Sequence, residues 1–422
     1  MDDIGWYGSS FFLTLAAFQS AWGHIYKGFS LRGSFLAAIG IFETGSLGMG
    51  GAGLTGGCYT IAAFIAPPKK VPIVIGLLGS TFSVASIAGP LLGGAFSQPV
   101  TWRWCFYINL LIGGVAAGVL LVFFRTPDQA KSGMERPLKE KLQQFDFIGL
   151  VVLLAGIEWW QQDRALMVPR LLANRNIGAC CAFIFFLNAV NFSLIYNLPI
   201  YFQVINGDSP MTSGIKNIPT ILSESITTFL SSAIVTKVGY YQPFLLAGST
   251  LPTIGAGLIY TFDLTSGPGP TIGYQILYGT GIGLSVQIPV IVAGAMSSTD
   301  DQAITMAIVL FFQFISAAYR VGSTDSIMNN LLLKNIPKYM KGINPEEVIT
   351  TGSSGLEEAF SGSALLGARR CYLDGLHGSW AMGIALFGMP FLCALIPKRG
   401  GKVARSGKQG GKDDQGNFVP MV

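Results

Sequence analysis

Apolar runs separated by short polar or charged clusters fill most of the chain. They predict helices near 6–23, 33–47, 50–66, 72–97, 104–124, 147–160, 177–202, 213–236, 243–262, 271–295, 302–325 and 375–396. A helix that crosses a bilayer needs about 20 apolar residues, with about 17 as a lower bound, so 33–47 and 147–160 are too short to cross alone. Between the runs lie a basic, helix-forming loop at 125–146, a charged loop at 161–175 and a polar segment at 328–372. From Lys398 onward the sequence is rich in Gly, Lys and Gln and has no apolar period, which predicts a disordered basic tail. The implied organisation is an N-terminal bundle at 1–124, cytoplasmic loops flanking a shortened helix pair at 125–176, a C-terminal bundle at 177–396 with an extracellular loop at 328–372, and a tail at 397–422.

Composition agrees with an all-α polytopic membrane bundle of about 11–12 spans. Only 12% of the 422 residues are charged against 50% hydrophobic, too little polar surface for a soluble globule. The positive residues orient it. Lys27 and Arg32, Lys69 and Lys70, the 125–146 loop, Arg164 to Arg175, Lys237 and the tail all belong on the cytoplasmic side. Alternating crossings satisfy this everywhere except at 147–160, where one short segment separates two loops that both want the cytoplasm.

A more specific signal lies between Val71 and Phe124. Ala85, Gly89 and Gly93 repeat every four residues along one helix face, with Pro90 and Gly94 beside them, so a neighbouring helix could approach closely and the proline could bend the span. A small-residue packing face in any helical membrane protein would read the same. The full string, Gly89-Pro-Leu-Leu-Gly93-Gly94, then Thr101-Trp-Arg103-Trp and Phe106-Tyr-Ile-Asn109, resembles the fifth-helix antiporter motif of the major facilitator superfamily. The resemblance is to the fungal fourteen-helix drug/proton antiporter branch. Asp3-Ile-Gly-Trp-Tyr-Gly-Ser-Ser10, Pro67-Pro-Lys-Lys70, Leu198-Pro-Ile-Tyr-Phe-Gln203 and Phe311-Phe-Gln313 extend it over nearly the whole chain.

The resemblance also implies three gaps. The family's first helix, with its acidic motif, has no counterpart before Asp3. Glu43-Thr-Gly-Ser-Leu47 runs straight into Met49-Gly-Gly, omitting a stretch that carries the family's coupling arginine, and Ile157-Glu158 joins what resemble helices seven and eight. A faint duplication supports two parallel halves: Gly23-His-Ile-Tyr-Lys27-Gly and Phe35-Leu-Ala-Ala-Ile-Gly40 are echoed by Val235-Thr-Lys237-Val-Gly239 and Phe244-Leu-Leu-Ala-Gly248. By resemblance, Gly23, Lys27 and Arg32 belong to the cytoplasmic gating loop between the second and third helices, although the loop lacks the family's acidic residue.

Charges inside spans are costly, about 2.5–3.5 kcal/mol at the bilayer centre on insertion scales, so they are the first functional candidates. Glu224 is the deepest, with Ser223, Ser225, Thr227 and Thr228 nearby to hydrogen-bond it; it reads as a proton or cation site, or as a structural acid facing a central cavity. Glu43 is the second acidic candidate. Arg320 and Asp325 read as interfacial residues that snorkel or pair locally. Asn188, Asn191, Tyr196, Gln203, Gln287 and Gln313 stand in apolar, aromatic-rich helices and suit a greasy substrate cavity with a few orienting dipoles, or hydrogen bonds between helices.

No Walker loop, nucleophile elbow or metal-ligand cluster is present, and the six Cys form no CxxC pair, so neither enzyme chemistry nor a cofactor is expected. The resemblance implies export of a small hydrophobic drug, toxin or secondary metabolite by proton antiport. The expected partners are that substrate, the proton and the lipid bilayer, with no nucleic acid and the chain acting as a monomer in the plasma or vacuolar membrane. A non-transporting remnant of such a transporter, or an importer of the siderophore or amino-acid type, are the alternatives.

Overall fold

The computed structural model describes residues 4–45, 47–67, 69–97, 103–127, 167–298, 300–340, 342–345, 348, 351–352 and 355–397. Among these residues the regular structure is helical: α1 (Ile4–Gly28), α2 (Leu31–Glu43), α3 (Leu47–Ile65), α4 (Val71–Ser97), α5 (Trp104–Phe123), α6 (Arg175–Asn206), α7 (Ile218–Val238), α8 (Gln242–Ile259), α9 (Pro268–Ser285), α10 (Ile288–Met296), α11 (Gln302–Tyr339) and α12 (Gly362–Leu395). Among the described residues five stretches are long and apolar enough to cross a membrane by themselves, namely Arg175–Asn206, Met211–Val238, Pro268–Met296, Gln302–Tyr339 and Gly362–Leu395. The 147–160 segment and the 397–422 tail fall almost wholly outside the described residues.

The apolar runs and the helices coincide, with three informative differences. The run at 271–295 is two helices, because the chain turns at Val286 and Gln287 before Pro289 restarts it in the first turn of α10. The run at 302–325 continues to Tyr339, and α12 begins at Gly362 rather than near 375. Met328, Leu332 and Ile336 explain this extension. They lie four apart, form one buried stripe within a polar stretch, and face α12, where Gly367 and Gly375 leave room for Met340 and Met328. Helix therefore occupies much of the 328–372 segment expected as loop.

The third difference concerns the residues assigned to a gating loop. Gly23 and Lys27 lie within α1 and Arg32 within the first turn of α2; only Phe29 and Ser30 are non-helical between them. Ser30 sets this tight turn by accepting a hydrogen bond from the Gly33 amide and so capping α2.

Helices α1–α5, here the first half, and α6–α12, the second half, meet along α1 against α11 and α4 against α7. In the first half α3 lies between α1 and α2. Trp22 donates to the Met49 carbonyl at 2.9 Å and Tyr26 to the Gly53 carbonyl at 2.8 Å, and a Cβ at Gly53 or Gly57 would strike those rings. Close approach, with no side chain on α3 to hold the rings away, is what these glycines supply. The echoed turns occupy matching places in the two halves. Arg32, opening α2, donates to the Leu121 carbonyl near the end of α5, and Gln242, opening α8, donates to the Ala394 carbonyl near the end of α12.

Lys27, Arg32, Arg170 and Lys237 share one end of the bundle, called here the basic end. The described chain leaves this end after α5 and re-enters it before α6. The residues on either side of 128–166 thus lie at one end: Arg32 donates to the Leu121 carbonyl and Arg170 to Asp301, which also pairs with Lys27.

Candidate functional site

Between the two halves lies a cavity of about 70 Å³. From the first half it is lined by Thr55 and Tyr59 of α3 and by Gly79 and Phe82 of α4. From the second come Asn188, Asn191, Phe192 and Ile195 of α6, Ile221 and Glu224 of α7, Val286 and Gln287 at the α9–α10 turn, and Leu310, Gln313 and Phe314 of α11. Drug-sized ligands occupy pockets of about 300–1,000 Å³, so the cavity in this structure is smaller than one of them needs.

Glu224 is buried, 7% exposed, and is the ionisable carboxylate among the described lining residues. The hydroxyls around it on α7 do not serve it as expected. Ser223, Ser225 and Thr227 donate instead to the carbonyls of Thr220, Ile221 and Ser223 on their own helix, the usual use of such residues in a membrane helix. Its hydrogen bond comes from another helix: Asn191 Nδ2 lies 3.5 Å from Glu224 Oε1, and the Tyr278 hydroxyl donates to Asn191 Oδ1 at 3.3 Å. Gly279 and Gly283 of α9 make this possible. An added Cβ at Gly279 would strike the Thr220 carbonyl oxygen and one at Gly283 that of Glu224, so α9 rests against α7 beside the carboxylate.

Across the cavity, the Tyr59 hydroxyl donates to Gln287 Oε1 at 3.2 Å and so joins the two halves there. Gln287 occupies the turn between α9 and α10, where the helix break frees its side chain to reach across, and its amide packs on Gly79. Asn188 bonds back to the Ile184 carbonyl at 3.3 Å, and Gln313 Oε1 has no partner among the described residues.

Five residues singled out in the sequence therefore converge here: Asn188, Asn191, Glu224, Gln287 and Gln313. Others do not. Tyr196 is 37% exposed, outside the cavity, and Gln203 bonds Ser213 Oγ at the far end of α6. Glu43 ends α2 with its carboxylate against Gly113 of α5. The small-residue face of α4 is also placed differently. Ala85 and Gly89 are exposed among the described residues, and a Cβ at Gly89 meets nothing within 4 Å. The close approach of α4 occurs earlier, where Gly76 meets Ser232 and Ser80 donates to the Ser225 carbonyl at 2.9 Å. Helix α4 runs through Pro90, with Gly93 and Gly94 in its last two turns.

Arg320 overturns its sequence reading. It is fully buried rather than snorkelling, and it forms no ion pair with Asp325. Its position 18 residues into a 38-residue helix, not near the end of a short one, is the reason. Tyr59, which lines the cavity, and Tyr278, which bonds Asn191, are the residues near it that the sequence did not single out; a lone Tyr amid the glycines of α3 was the available signal for the first.

At the basic end, Asp301 accepts from Lys27 at 3.2 Å, from both terminal nitrogens of Arg170 at 3.2 Å and from Ser298 at 3.1 Å. Burial pushes its carboxyl up, but the Lys27 hydrogen bond and charge, with Ser298 and Arg170 donating as well, outweigh this and hold it below the usual carboxylate value. The acidic partner of Lys27 thus comes from the second half. Gly23, one turn earlier, lets α1 cross α11 with a Cβ position only 2.7 Å from that of Ala307.

The profile described as Major Facilitator Superfamily matches residues 1–319. An MFS-type transporter of Pestalotiopsis microspora is 37% identical over 454 aligned residues, covering 94% of this chain and 83% of its own length. The MFS-type efflux pump MFS1 of Trichophyton rubrum is 35% identical, covering 92% and 82%, and the efflux pump aunC of Aspergillus niger is 32% identical, covering 94% and 85%. The first alignment is longer than the 422-residue chain, so that relative carries residues within the matched stretch that this chain lacks. The structure resembles the human organic anion transporter MFSD10, with a TM-score of 0.59 at 14% identity over 92% of this chain and 83% of that one. It also resembles a bacterial homologue of the lysosomal transporter Spinster in its inward-facing, occupied form, with a TM-score of 0.56 at 15% identity over 92% and 88%.

Proposed function

The chain belongs to the major facilitator superfamily, and on that premise we propose that this multi-pass membrane transporter exports small hydrophobic molecules in exchange for protons. The observation that carries the reading is the cavity itself. Both halves line it, its walls are mostly apolar and aromatic, and its described polar groups are a few amides and hydroxyls with one carboxylate. Such walls favour an amphipathic or aromatic solute of the drug or secondary-metabolite type, and the efflux pumps among the relatives support the outward direction.

Glu224 is the proton carrier in this reading. It is an acid held in the substrate cavity by a neutral amide, with Tyr59 and Tyr278 as the titratable hydroxyls nearby. Substrate and proton then compete for one polar wall, which is the simplest physical form of exchange. The basic end faces the cytoplasm by the positive-inside rule, the plasma membrane is the site of action, and the chain works as a monomer.

The test is accumulation of a fluorescent amphipathic dye in a pump-deficient yeast expressing the chain. We expect accumulation to fall several-fold and to recover when a protonophore collapses the gradient. The second reading, a non-transporting remnant, draws on the internal residues that the relatives possess and this chain lacks. Unchanged dye levels, with the protein present in the membrane, would establish it.

A further inference from the structure

We propose that a groove on the α1–α11 seam is an entrance site, where the transported solute is taken up from the bilayer before it reaches the Glu224 cavity. The inference rests on the export reading above. At the basic end α1 and α11 touch closely, with Gly23 against Ala307. Farther along the same seam, beside the middle of α11, a second space of about 430 Å³ opens. Ser9 and Leu13 of α1, Phe185 of α6 and Ile315, Tyr319 and Gly322 of α11 line it. Its volume lies within the range of about 300–1,000 Å³ that drug-sized ligands occupy, which the Glu224 cavity does not reach. Leu13 and Tyr319 are 41% and 56% exposed, so the groove opens on the outer surface of the bundle. Tyr319 and Gly322 lie well inside the membrane-crossing stretch Gln302–Tyr339, so that surface meets lipid, where an amphipathic solute concentrates.

One polar group marks the groove and selects its occupant. Ser9 is 8% exposed, and its hydroxyl has no hydrogen-bond partner among the described residues. Gly322 keeps the space beside that hydroxyl open, since an added Cβ would lie 3.6 Å from Ser9 Oγ. A buried hydroxyl without a partner is unfavourable, and a lipid acyl chain has no group to offer it. A solute that carries an amine, hydroxyl or carbonyl on an aromatic body can bond Ser9 while its body packs on the Phe185 and Tyr319 rings.

Three rings separate the groove from the cavity. Phe192 and Phe314 line the cavity, and Phe12 of α1 packs on both, edge-on to Phe192 with centroids 4.9 Å apart and stacked on Phe314 at 6.4 Å. Sequence neighbours face the two spaces: Phe314 lines the cavity and Ile315 the groove, while Phe12 meets the rings and Leu13 lines the groove. The partition is thus one side chain thick. Phe12 is only partly buried, so its ring can change rotamer without displacing a helix, and that movement joins the two spaces. Phe12 is the door in this scheme, and a solute that passes it bypasses the Lys27–Asp301 pair at the basic end.

The experiment is equilibrium binding of an N-ethyl rhodamine dye to the purified chain in lipid nanodiscs, joined to accumulation of the same dye in the pump-deficient yeast. G322W and L13W fill the groove, and each should weaken dye binding by about tenfold. L111W, at a residue of α5 that is 65% exposed and away from the groove, should bind as the wild type does. S9A should weaken binding several-fold through loss of its hydrogen bond. F12W thickens the partition, so it should leave binding in nanodiscs unchanged and stop export, whereas F12A should export at least as fast as the wild type. Leu13 is exposed, so L13W carries the test if G322W fails to fold. Wild-type affinity in L13W and G322W would overturn the site and leave the groove to lipid chains. Normal export by F12W would overturn the passage. Dye binding that L13W and G322W weaken, in a wild-type chain that exports no dye, would overturn the export reading while the binding site stood.

Discussion

Glu224 and Gln287 show how single residues in this bundle acquire their roles. Each lies in an apolar stretch that gives no sign of its partner, and each is completed by a residue distant in sequence: Asn191 for Glu224 and Tyr59 for Gln287. If Glu224 carries the proton, Glu224→Gln should flatten the pH dependence of exchange while leaving substrate binding measurable; an unchanged profile would return Glu224 to a structural role. The Tyr59–Gln287 bond crosses the cavity between the halves. Tyr59→Phe leaves Gln287 Oε1 without this donor, so it should cost about 1 kcal/mol in stability, read as a lower melting temperature. The added Gln287→Leu change should recover part of that loss, since neither group is then left unsatisfied. The amide-rich composition of the site was legible in Asn188, Asn191, Gln287 and Gln313. Tyr196 and Gln203, also uncharged polar residues in similar apolar surroundings, were indistinguishable from them, because composition does not encode which face of α6 meets the cavity.

At the level of elements, glycine decides where helices touch. The repeat at Ala85, Gly89 and Gly93 looked like the contact face of α4, yet the closest approach is made by Gly76 against Ser232 of α7. Gly76→Leu should therefore block the α4–α7 crossing and abolish transport. Gly89→Leu should leave insertion and the melting temperature within the range of an ordinary surface change, since a Cβ there meets nothing within 4 Å. Equal melting losses in the two variants would remove this distinction. Helix limits were readable to within a turn where caps or prolines mark them, as at Ser30 before α2 and Pro268 at the start of α9, but the break before Pro289 was not. They were misread where a buried stripe runs through polar sequence, as in the Met328, Leu332 and Ile336 extension of α11, because its low mean hydropathy hides a good amphipathic period.

Over the whole molecule, the two halves are joined by α1 with α11, by α4 with α7, and at the basic end by the cluster around Asp301. Asp301 has a depressed pKa in the fold, so its contribution is full above the usual carboxylate value of about 4 and is lost as pH falls through the folded value. Neutralising it with Asp301→Asn should let the basic ends separate more readily. A cysteine placed at Gly28, where an added Cβ meets nothing within 4 Å, should then be alkylated several-fold faster than in the unsubstituted background. Equal rates would show that the cluster does not hold the halves together.

The sequence alone determined the all-α membrane class, nearly all of the helix positions and the side on which the basic residues gather. These follow from local hydropathy and from charges that avoid the bilayer, and neither needs a partner helix to be known. The tertiary structure decided which face of each helix is inward, and with it the cavity, the Asn191 and Tyr278 link to Glu224, the burial of Arg320 and the pairing of Lys27 with Asp301. Those outcomes depend on helices far apart in the chain approaching to within a few ångströms, and hydropathy is nearly blind to the rotation of an apolar helix about its axis when lipid and protein interior are equally apolar.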